Sequence, residues 1–298
     1  MEGIIPAQVA IIGITYEPKW YSGKLKSIKH TDKIRGDLIL YSARFASSIG
    51  YKVVLVDGGS SKTFVSELKK TNGLKLFQSK LPHRSPNRRK ALFEASKILG
   101  IRAIVMTEIE KVSFITDCLV ASVKPVLEGL ADVVVPKREI SLFRKSYPDY
   151  MFESENEGNL FYNESLRSAG LLSTHEEDLD VFFGARVFKN DKKMLKELFS
   201  KYKAHPFNSI LANKLFNFEE YSNAQFFPVV RGLSSGYRVM SVTVPFMYPE
   251  KQKQNEDRGE KELFVLKRRY QKLTIIVELM HFLGYINHKK TRKIKKIN

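Results

Sequence analysis

The chain has 298 residues, 43% of them hydrophobic and 11% aromatic, which is typical of one or two folded globular domains and excludes a chain that is disordered throughout. Its single cysteine, Cys118, excludes an intramolecular disulfide and a multi-cysteine zinc module. The 50 lysines and arginines outnumber the 32 aspartates and glutamates, and the net charge of +18 favours anionic partners: nucleic acid, phosphorylated small molecules or an anionic membrane face.

The beginning of the chain, residues 1–10, lacks the basic stretch and apolar core of a secretory leader. No apolar run approaches the roughly 18–20 residues that are needed to span a bilayer. The low cysteine count is consistent with a reducing compartment. We therefore expect a cytoplasmic protein, with peripheral contact to a membrane surface as an open alternative.

Short apolar runs alternate with helical patterns over the first half of the chain. The apolar runs predict buried strands, and the amphipathic stretches between them predict helices. This alternation predicts an α/β fold with a mostly parallel central sheet that is flanked by helices. The strands are predicted at 8–14, 52–57, 74–77, 101–106 and 132–136, and the helices at 37–48, 63–70, 86–99 and 115–127.

The second half of the chain is less regular, and residues 139–180 carry no clear strand or helix pattern. Strands are predicted at 181–188 and 236–244, and helices at 194–202 and 260–284. The last helix is long and amphipathic. We expect a main domain over 1–250, a C-terminal amphipathic helix packed on it over 251–285, and a basic, disordered tail over 286–298.

Polar residues follow three predicted strands, where parallel sheets bind their ligands, at 57–60, 107–111 and 136–138. In the second segment, Glu108 and Glu110 are two residues apart on a chain that we expect to be extended, so their carboxylates point the same way. Such a pair suits Mg²⁺ or Mn²⁺ shared with a diphosphate. A solvated turn with two surface glutamates is the alternative.

The turn Asp-Gly-Gly-Ser at 57–60 is a second candidate site. Asp57 could accept a hydrogen bond from a ribose or a base, and Gly58 would let the backbone approach a ligand closely. An ordinary strand-to-helix turn is the alternative. A phosphate-binding P-loop is excluded, because Val56 and Ser61 stand where that motif requires glycine.

Basic residues surround the predicted start of a helix at Ser85 and Pro86. Free N–H groups, the helix dipole and guanidinium groups favour an anion such as phosphate there, and a solvated basic helix end is the alternative. Convergence of these residues on the two glutamates would distinguish the interpretations. The basic residues are His83, Arg84, Arg88 and Arg89.

The sequence lacks other catalytic templates. The six histidines are scattered without a metal-binding spacing, and no Gly-x-Ser-x-Gly motif supports a serine triad. Cys118 lies in an apolar helical stretch and is interpreted as a core residue. The acidic run at 176–178 could contain a general base, and a solvated acidic face is the alternative.

Six basic residues and no acidic residue lie near the end of the chain, over 289–296. This basic tail could bind nucleic acid or anionic lipid, although it lacks aromatic residues for base stacking, and a plain solvated tail is the alternative. The basic residues are Lys289, Lys290, Arg292, Lys293, Lys295 and Lys296.

Several segments match one family in their order and spacing. They are VVLVDGGS at 53–60, RRKALFEA at 88–95, IVMTEIE at 104–110, ADVVVPKR at 131–138, and GYRV at 236–239 followed by VTVP at 242–245. In this order the chain resembles a GT-A fold glycosyltransferase of the family 2-like group, from about Val9 to Gly284. It departs from the family in carrying Glu-x-Glu where the family carries Asp-x-Asp.

The resemblance implies an enzyme that transfers a hexosyl group from a nucleotide-diphosphate sugar to an acceptor, with 1–250 as the catalytic domain. The resemblance implies that Asp57, Gly58 and Glu108 contact the base, ribose or sugar, and that Glu108 and Glu110 hold a Mg²⁺ or Mn²⁺ ion. It also implies that Arg88, Arg89 and Lys111 neutralise the diphosphate. Glu177 or Asp178 would accept the proton.

Three other functions stay open on the sequence. A nucleic-acid-binding protein would show a continuous basic face. A nucleotidyltransferase would release pyrophosphate, although the glycine-rich loop usual near its amino terminus is missing. A degenerate binding module on a transferase scaffold would bind ligand without turnover.

Overall fold

The computed structural model describes residues 6–80, 84–200, 224–258 and 261–294, with side chains described as far as residue 286. These residues form a seven-stranded sheet in the order β3-β2-β1-β4-β6-β5-β7. The sixth strand runs antiparallel to its neighbours, and the other pairings are parallel. The strands are β1 (Val9–Thr15), β2 (Lys52–Asp57), β3 (Leu74–Gln78), β4 (Ala103–Met106), β5 (Val133–Arg138), β6 (Arg186–Lys189) and β7 (Val239–Val244).

Ten α-helices are present in the described part of the chain, and with the sheet they confirm the predicted α/β fold. A five-residue π-helical turn, Phe114–Cys118, leads into the fourth. The helices are α1 (Thr31–Ser48), α2 (Lys62–Lys69), α3 (Arg84–Ser96), α4 (Leu119–Leu127), α5 (Ile140–Ser146), α6 (Asp149–Ser168), α7 (Lys192–Leu198), α8 (Phe227–Ser234), α9 (Glu250–Arg258) and α10 (Lys261–Ile294).

Some predicted boundaries were wrong. Helix α1 begins at Thr31, and Asp37 lies inside it, where its carboxylate accepts from Trp20 Nε1 at 3.0 Å instead of capping the helix. The predicted strand at 181–188 begins only at Arg186, because Asp180 caps a short 3-10 turn that Gly184 ends with a φ of 86°. Helix α6 was missed because polar residues, Glu155 and Asn163, lie on its buried face and mask the amphipathic pattern.

The sheet is buried on both faces, which explains why its strands are continuous apolar runs. Neighbouring residues of β1 point to opposite faces. Ile11 belongs to the core with α1, α2 and α4, whereas Ile12 belongs to the core with α3 and α7. A third apolar cluster joins α6, α8 and α10, where the rings of Phe227 and Phe282 lie 4.6 Å apart.

The order of the strands reverses beside β1. The chain first builds β2 and β3 on one side of β1 and then crosses to place β4 on the other side. In agreement with this reversal, α1 and α2 lie on one face of the sheet and α3 lies on the other. Open α/β sheets bind ligands in the crevice that such a reversal leaves at the strand carboxyl ends. The topology therefore points to the ends of β1 and β4.

The long C-terminal helix packs on α6 through apolar residues and ion pairs. Arg268 contacts Glu155 at 2.9 Å, and Lys272 contacts Glu157 at 2.6 Å. The helix continues to Ile294, beyond its predicted end at Gly284, and so overlaps the predicted tail. The side chains of the basic tail lie outside the described residues. Within the described part, no helix combines the length and the apolar character needed to cross a membrane.

Candidate functional site

A cavity of about 300 Å³ lies at the carboxyl ends of β1, β2 and β4, next to the point where the strand order reverses. Residues that follow these three strands form its floor, and side chains from α1 and α3 border them. Residues of α6, α9 and α10 close the opposite side. Charged residues of both signs line the cavity: Glu17, Arg35, Arg84, Arg88, Glu108, Glu110, Lys111, Glu155, Glu256, Lys267 and Arg268.

The two predicted glutamates lie in this cavity, but on a tight turn instead of an extended chain. The N–H of Lys111 donates to the carbonyl of Glu108 at 3.1 Å. Between the two glutamates, Ile109 is fully buried and packs against Gly13 of β1. A Cβ atom at Gly13 would lie only 2.9 Å from Ile109 Cδ1. Glycine at this strand position therefore allows the turn to approach the sheet.

Glu110 is buried and pairs with an arginine that the sequence analysis did not single out. Arg35 of α1 donates from Nε to Glu110 Oε1 at 3.0 Å, and its Nη2 donates to the same oxygen. The negative charge of Glu110 raises the pKa of Arg35 well above its ordinary value, against the opposing effect of burial. The pair joins α1 to the turn after β4.

Glu108 lies in a strongly positive environment. Lys111 Nζ is 3.2 Å from its Oε2 atom. Burial raises the pKa of Glu108, but the charges of Lys111, Arg88 and Arg35 outweigh burial and hold it well below the ordinary value. Glu108 is therefore ionised at neutral pH and can only accept hydrogen bonds.

Glu17 is a further cavity residue that the sequence analysis missed. It lies two residues after the end of β1, is only 2% exposed, and its carboxyl has no hydrogen bond or ion pair among the described residues. Burial raises its pKa to about 8, and the negative charge of Glu110 adds to the rise against the opposing charge of Arg35. The signal that could have found it is its position at a strand carboxyl end, the criterion that selected the other candidates.

A chain of buried ion pairs supports the side of the cavity that the helices form. Arg138, at the end of β5, donates to Asp180 from Nε and Nη2 and to Glu155 from Nη1, each at 2.7 Å. Glu155 also accepts from Arg268 of α10 at 2.9 Å. Asp180 has its pKa lowered by Arg138 despite its burial, which by itself would raise it. Of the predicted polar segment 136–138, Arg138 therefore belongs to this chain of ion pairs and does not line the cavity.

The predicted nucleotide-binding residues divide between the cavity and its surroundings. Gly58, Arg88 and Lys111 line the cavity. Asp57 is buried beside it, and its carboxylate accepts from Thr15 Oγ1 at 2.8 Å and from the N–H of Gly59 at 3.1 Å, so it builds the turn after β2.

The other predicted residues lie outside the cavity. Arg89 points away from it and donates to the carbonyl of Phe199 at 3.0 Å. The two predicted proton acceptors lie on a surface loop: Glu177 is 3.9 Å from Lys137 and its side chain is 66% exposed, and Asp178 pairs with Arg167 at 2.7 Å. His83, predicted at the start of α3, falls outside the described residues.

The residues around Glu108 and Glu110 do not fit a metal ion held by the protein. Across residues 6–80, 84–200, 224–258 and 261–286, no three or more His, Cys, Asp or Glu side chains are grouped so that they could hold one. Each of the two predicted ligands is already paired with a cation, Lys111 or Arg35. A divalent ion bound there would lie beside fixed positive charges.

Comparison with known proteins gives a distant match in structure. No protein-family model matches the sequence, and no curated protein matches it. Among solved structures, the chain is similar to S. aureus TarS 1–349, with a TM-score of 0.39 and 14% sequence identity, over 92% of this chain and 70% of that one. The case for a function therefore rests on the cavity.

Proposed function

We propose that this protein is a glycosyltransferase that binds a nucleotide-diphosphate sugar in the cavity and transfers the sugar to an acceptor. The observation that carries the proposal is the convergence of arginine and lysine side chains with acidic side chains at the reversal of strand order. The segments that resemble GT-A glycosyltransferases of the family 2-like group include the turns after β2 and β4, which border this cavity.

The diphosphate would bind to the positive side chains of the cavity. Arg84 and Arg88 lie in the first turns of α3, where the positive end of the helix dipole also favours an anion. Guanidinium groups bind phosphate oxygens through two parallel hydrogen bonds. Positive charge at this place would stabilise the nucleoside diphosphate as it leaves the sugar.

The rest of the donor would contact the turns that follow the strands. Tyr16 lines the mouth of the cavity with its side chain 56% exposed, so its ring is available to stack on a planar base. Gly58 would allow close approach of the backbone to the ligand. Glu108, which is ionised, would accept hydrogen bonds from ribose or sugar hydroxyl groups. We assign Asp57 to shaping its turn, because its oxygens already accept hydrogen bonds there.

A thermal-shift screen of nucleoside diphosphates tests binding, and release of nucleoside diphosphate from a panel of nucleotide sugars tests turnover. At a ligand concentration of about 100 times Kd, binding should stabilise the protein by about 2.7 kcal/mol. Release of pyrophosphate would instead identify a nucleotidyltransferase. Binding without release of any product would indicate a binding module.

Two adjacent arginines of α3 provide the matched variants. Arg88→Gln removes a charge from the cavity and should abolish the thermal shift, whereas Arg89→Gln changes a residue outside the cavity and should preserve it. Equal loss in both variants would contradict binding at this cavity.

A further inference from the structure

We propose that the guanidinium of Arg35 occupies the place predicted for a metal ion, so that this site binds and releases a diphosphate without Mg²⁺ or Mn²⁺. The inference rests on the proposed function, because it concerns how the same cavity neutralises the same leaving group. Arg35 would take the role of the metal ion that the Glu-x-Glu segment at 108–110 leads us to expect from the sequence.

The ion pair between Arg35 and Glu110 leaves part of the Arg35 side chain facing the cavity. Two hydrogen bonds from Arg35, from Nε at 3.0 Å and from Nη2, reach Oε1 of Glu110. Arginine carries five N–H donors, so this pair leaves donors for a ligand. The Arg35 side chain is 32% exposed and lines the cavity, whereas the Glu110 side chain beneath it is 5% exposed. The guanidinium therefore lies between Glu110 and the space that a ligand would fill.

The fold holds helix α1 in place on both sides of Arg35. Lys33 pairs with Asp37 at 2.7 Å, and Asp37 accepts from the indole of Trp20 at 3.0 Å. Gly36 packs directly against Trp20, and a Cβ atom there would lie 2.8 Å from the indole Nε1. Lys33 also lies 4.8 Å from the centre of the Trp20 ring. These contacts fix the part of α1 that presents Arg35.

Further cations surround the pair of Arg35 and Glu110. Arg88, Lys111 and Arg268 line the same cavity as Arg35. A divalent ion prefers several oxygen ligands, and here Glu108 and Glu110 are already paired with cations that would repel it. The basic side chains of the cavity would instead attract a diphosphate.

The bonds that break and form during sugar transfer can be accounted for without a metal ion. The bond between the anomeric carbon and the diphosphate oxygen breaks, and its electron pair stays on that oxygen. A bond forms from the acceptor oxygen to the anomeric carbon, and the acceptor hydroxyl passes its proton to bulk water. Arg35 donates hydrogen bonds to the departing diphosphate and is itself unchanged, so the charge that develops is stabilised by a preorganised group.

Calorimetric titration of the full chain with UDP, GDP, CDP and ADP, each in EDTA and in excess Mn²⁺, tests the inference. We expect the diphosphate that binds to show Kd values within about threefold of each other in the two conditions. Tighter binding in Mn²⁺ by more than this factor would overturn the inference and leave the proposed function standing. If none of the four binds in either condition, the proposed function and the inference fall together.

Variants on one helix separate the role of Arg35 from general effects. Arg35→Gln should weaken binding in EDTA by about tenfold or more. Arg44→Gln removes a more exposed ion pair of α1, to Glu67 at 2.8 Å, and should leave Kd unchanged. If circular dichroism shows that Arg35→Gln is unfolded, Arg35→Lys keeps the charge, loses the planar donor group, and should still weaken binding. Wild-type affinity in a folded Arg35 variant would overturn the inference.

Discussion

The two sides of the cavity hold their charges in different ways. The sheet wall consists of the residues that follow β1, β2 and β4 together with those of α1 and α3 that line the cavity. There the ion pairs form within the wall, between Arg35 and Glu110 and between Lys111 and Glu108. The outer wall consists of the cavity residues of α6, α9 and α10. Its Arg268 pairs with Glu155, and Glu155 also pairs with Arg138 of the buried chain of ion pairs.

This difference separates binding from stability. On the sheet wall, the Arg35–Glu110 and Lys111–Glu108 pairs border the cavity, so removing one of these charges should change ligand binding more than stability. Behind the outer wall, Arg138 and Asp180 are buried away from the cavity, so a change there leaves an unpaired charge inside the protein. We therefore expect variants of the buried chain to unfold the protein and variants of the sheet wall to alter its site.

The largest effect is expected behind the outer wall. Arg138→Ala leaves Asp180 and Glu155 buried without their shared partner and should lower the free energy of unfolding by about 3–5 kcal/mol. Urea denaturation would measure the loss, with Arg144→Ala, at an exposed arginine of α5, as the control. A loss no greater than that of the control would remove the distinction between the two walls.

A pH-dependent effect is expected on the sheet wall at Glu17. The folded protein raises its pKa from 4.5 to about 8, so between these values the unfolded chain releases a proton that the folded protein keeps. Because Glu17 ionises in the unfolded chain but stays protonated in the folded protein, the free energy of unfolding falls as pH rises. Glu17→Gln removes this loss. The variant should gain up to about 1.4 kcal/mol over wild type for each pH unit above 4.5, levelling off near pH 8.

Denaturation of wild type and Glu17→Gln at several pH values would measure this gain, with Glu164→Gln on α6 as the control. A difference that is constant from pH 4 to pH 9 would show that burial does not hold this carboxyl protonated.

A smaller effect is expected where β1 meets the turn that carries Glu108 and Glu110. Gly13→Ala places a methyl group 3.2 Å from the carbonyl oxygen of Thr107 and closer to Ile109, and should cost about 1–3 kcal/mol. Combining it with Ile109→Ala should cost less than the sum of the two single changes, because the second change makes room for the first. Additive losses in free energy of unfolding would argue against this contact.

The smallest effect is expected at the rim of the outer wall. Lys272 pairs with Glu157, whose side chain is 74% exposed, so Lys272→Ala should cost only about 0–1 kcal/mol. On the same helix, Arg268→Ala leaves the buried carboxylate of Glu155 with one partner fewer and should cost more. If thermal unfolding showed equal losses, burial would not be what distinguishes these two pairs.

The sequence predicted the parts of the fold that depend on local pattern. Apolar runs identified β1, β2, β4 and β5, because strands buried on both faces carry few polar residues. The polar residues that follow β2 and β4 were then expected at one edge of the sheet. Gly58, Glu108, Glu110 and Lys111 do line a single cavity there, together with Arg88 of α3.

Contacts between distant segments decided what these residues can do. The sequence named Arg88 and Arg89 together, but the packing of α3 turns one toward the cavity and the other toward Phe199. Glu110 pairs with Arg35 across 75 positions of the chain, and no local pattern marks that pair. Burial and pairing arise only when separate strands and helices pack together, so local sequence could place the acidic pair but not show which charge would neutralise it.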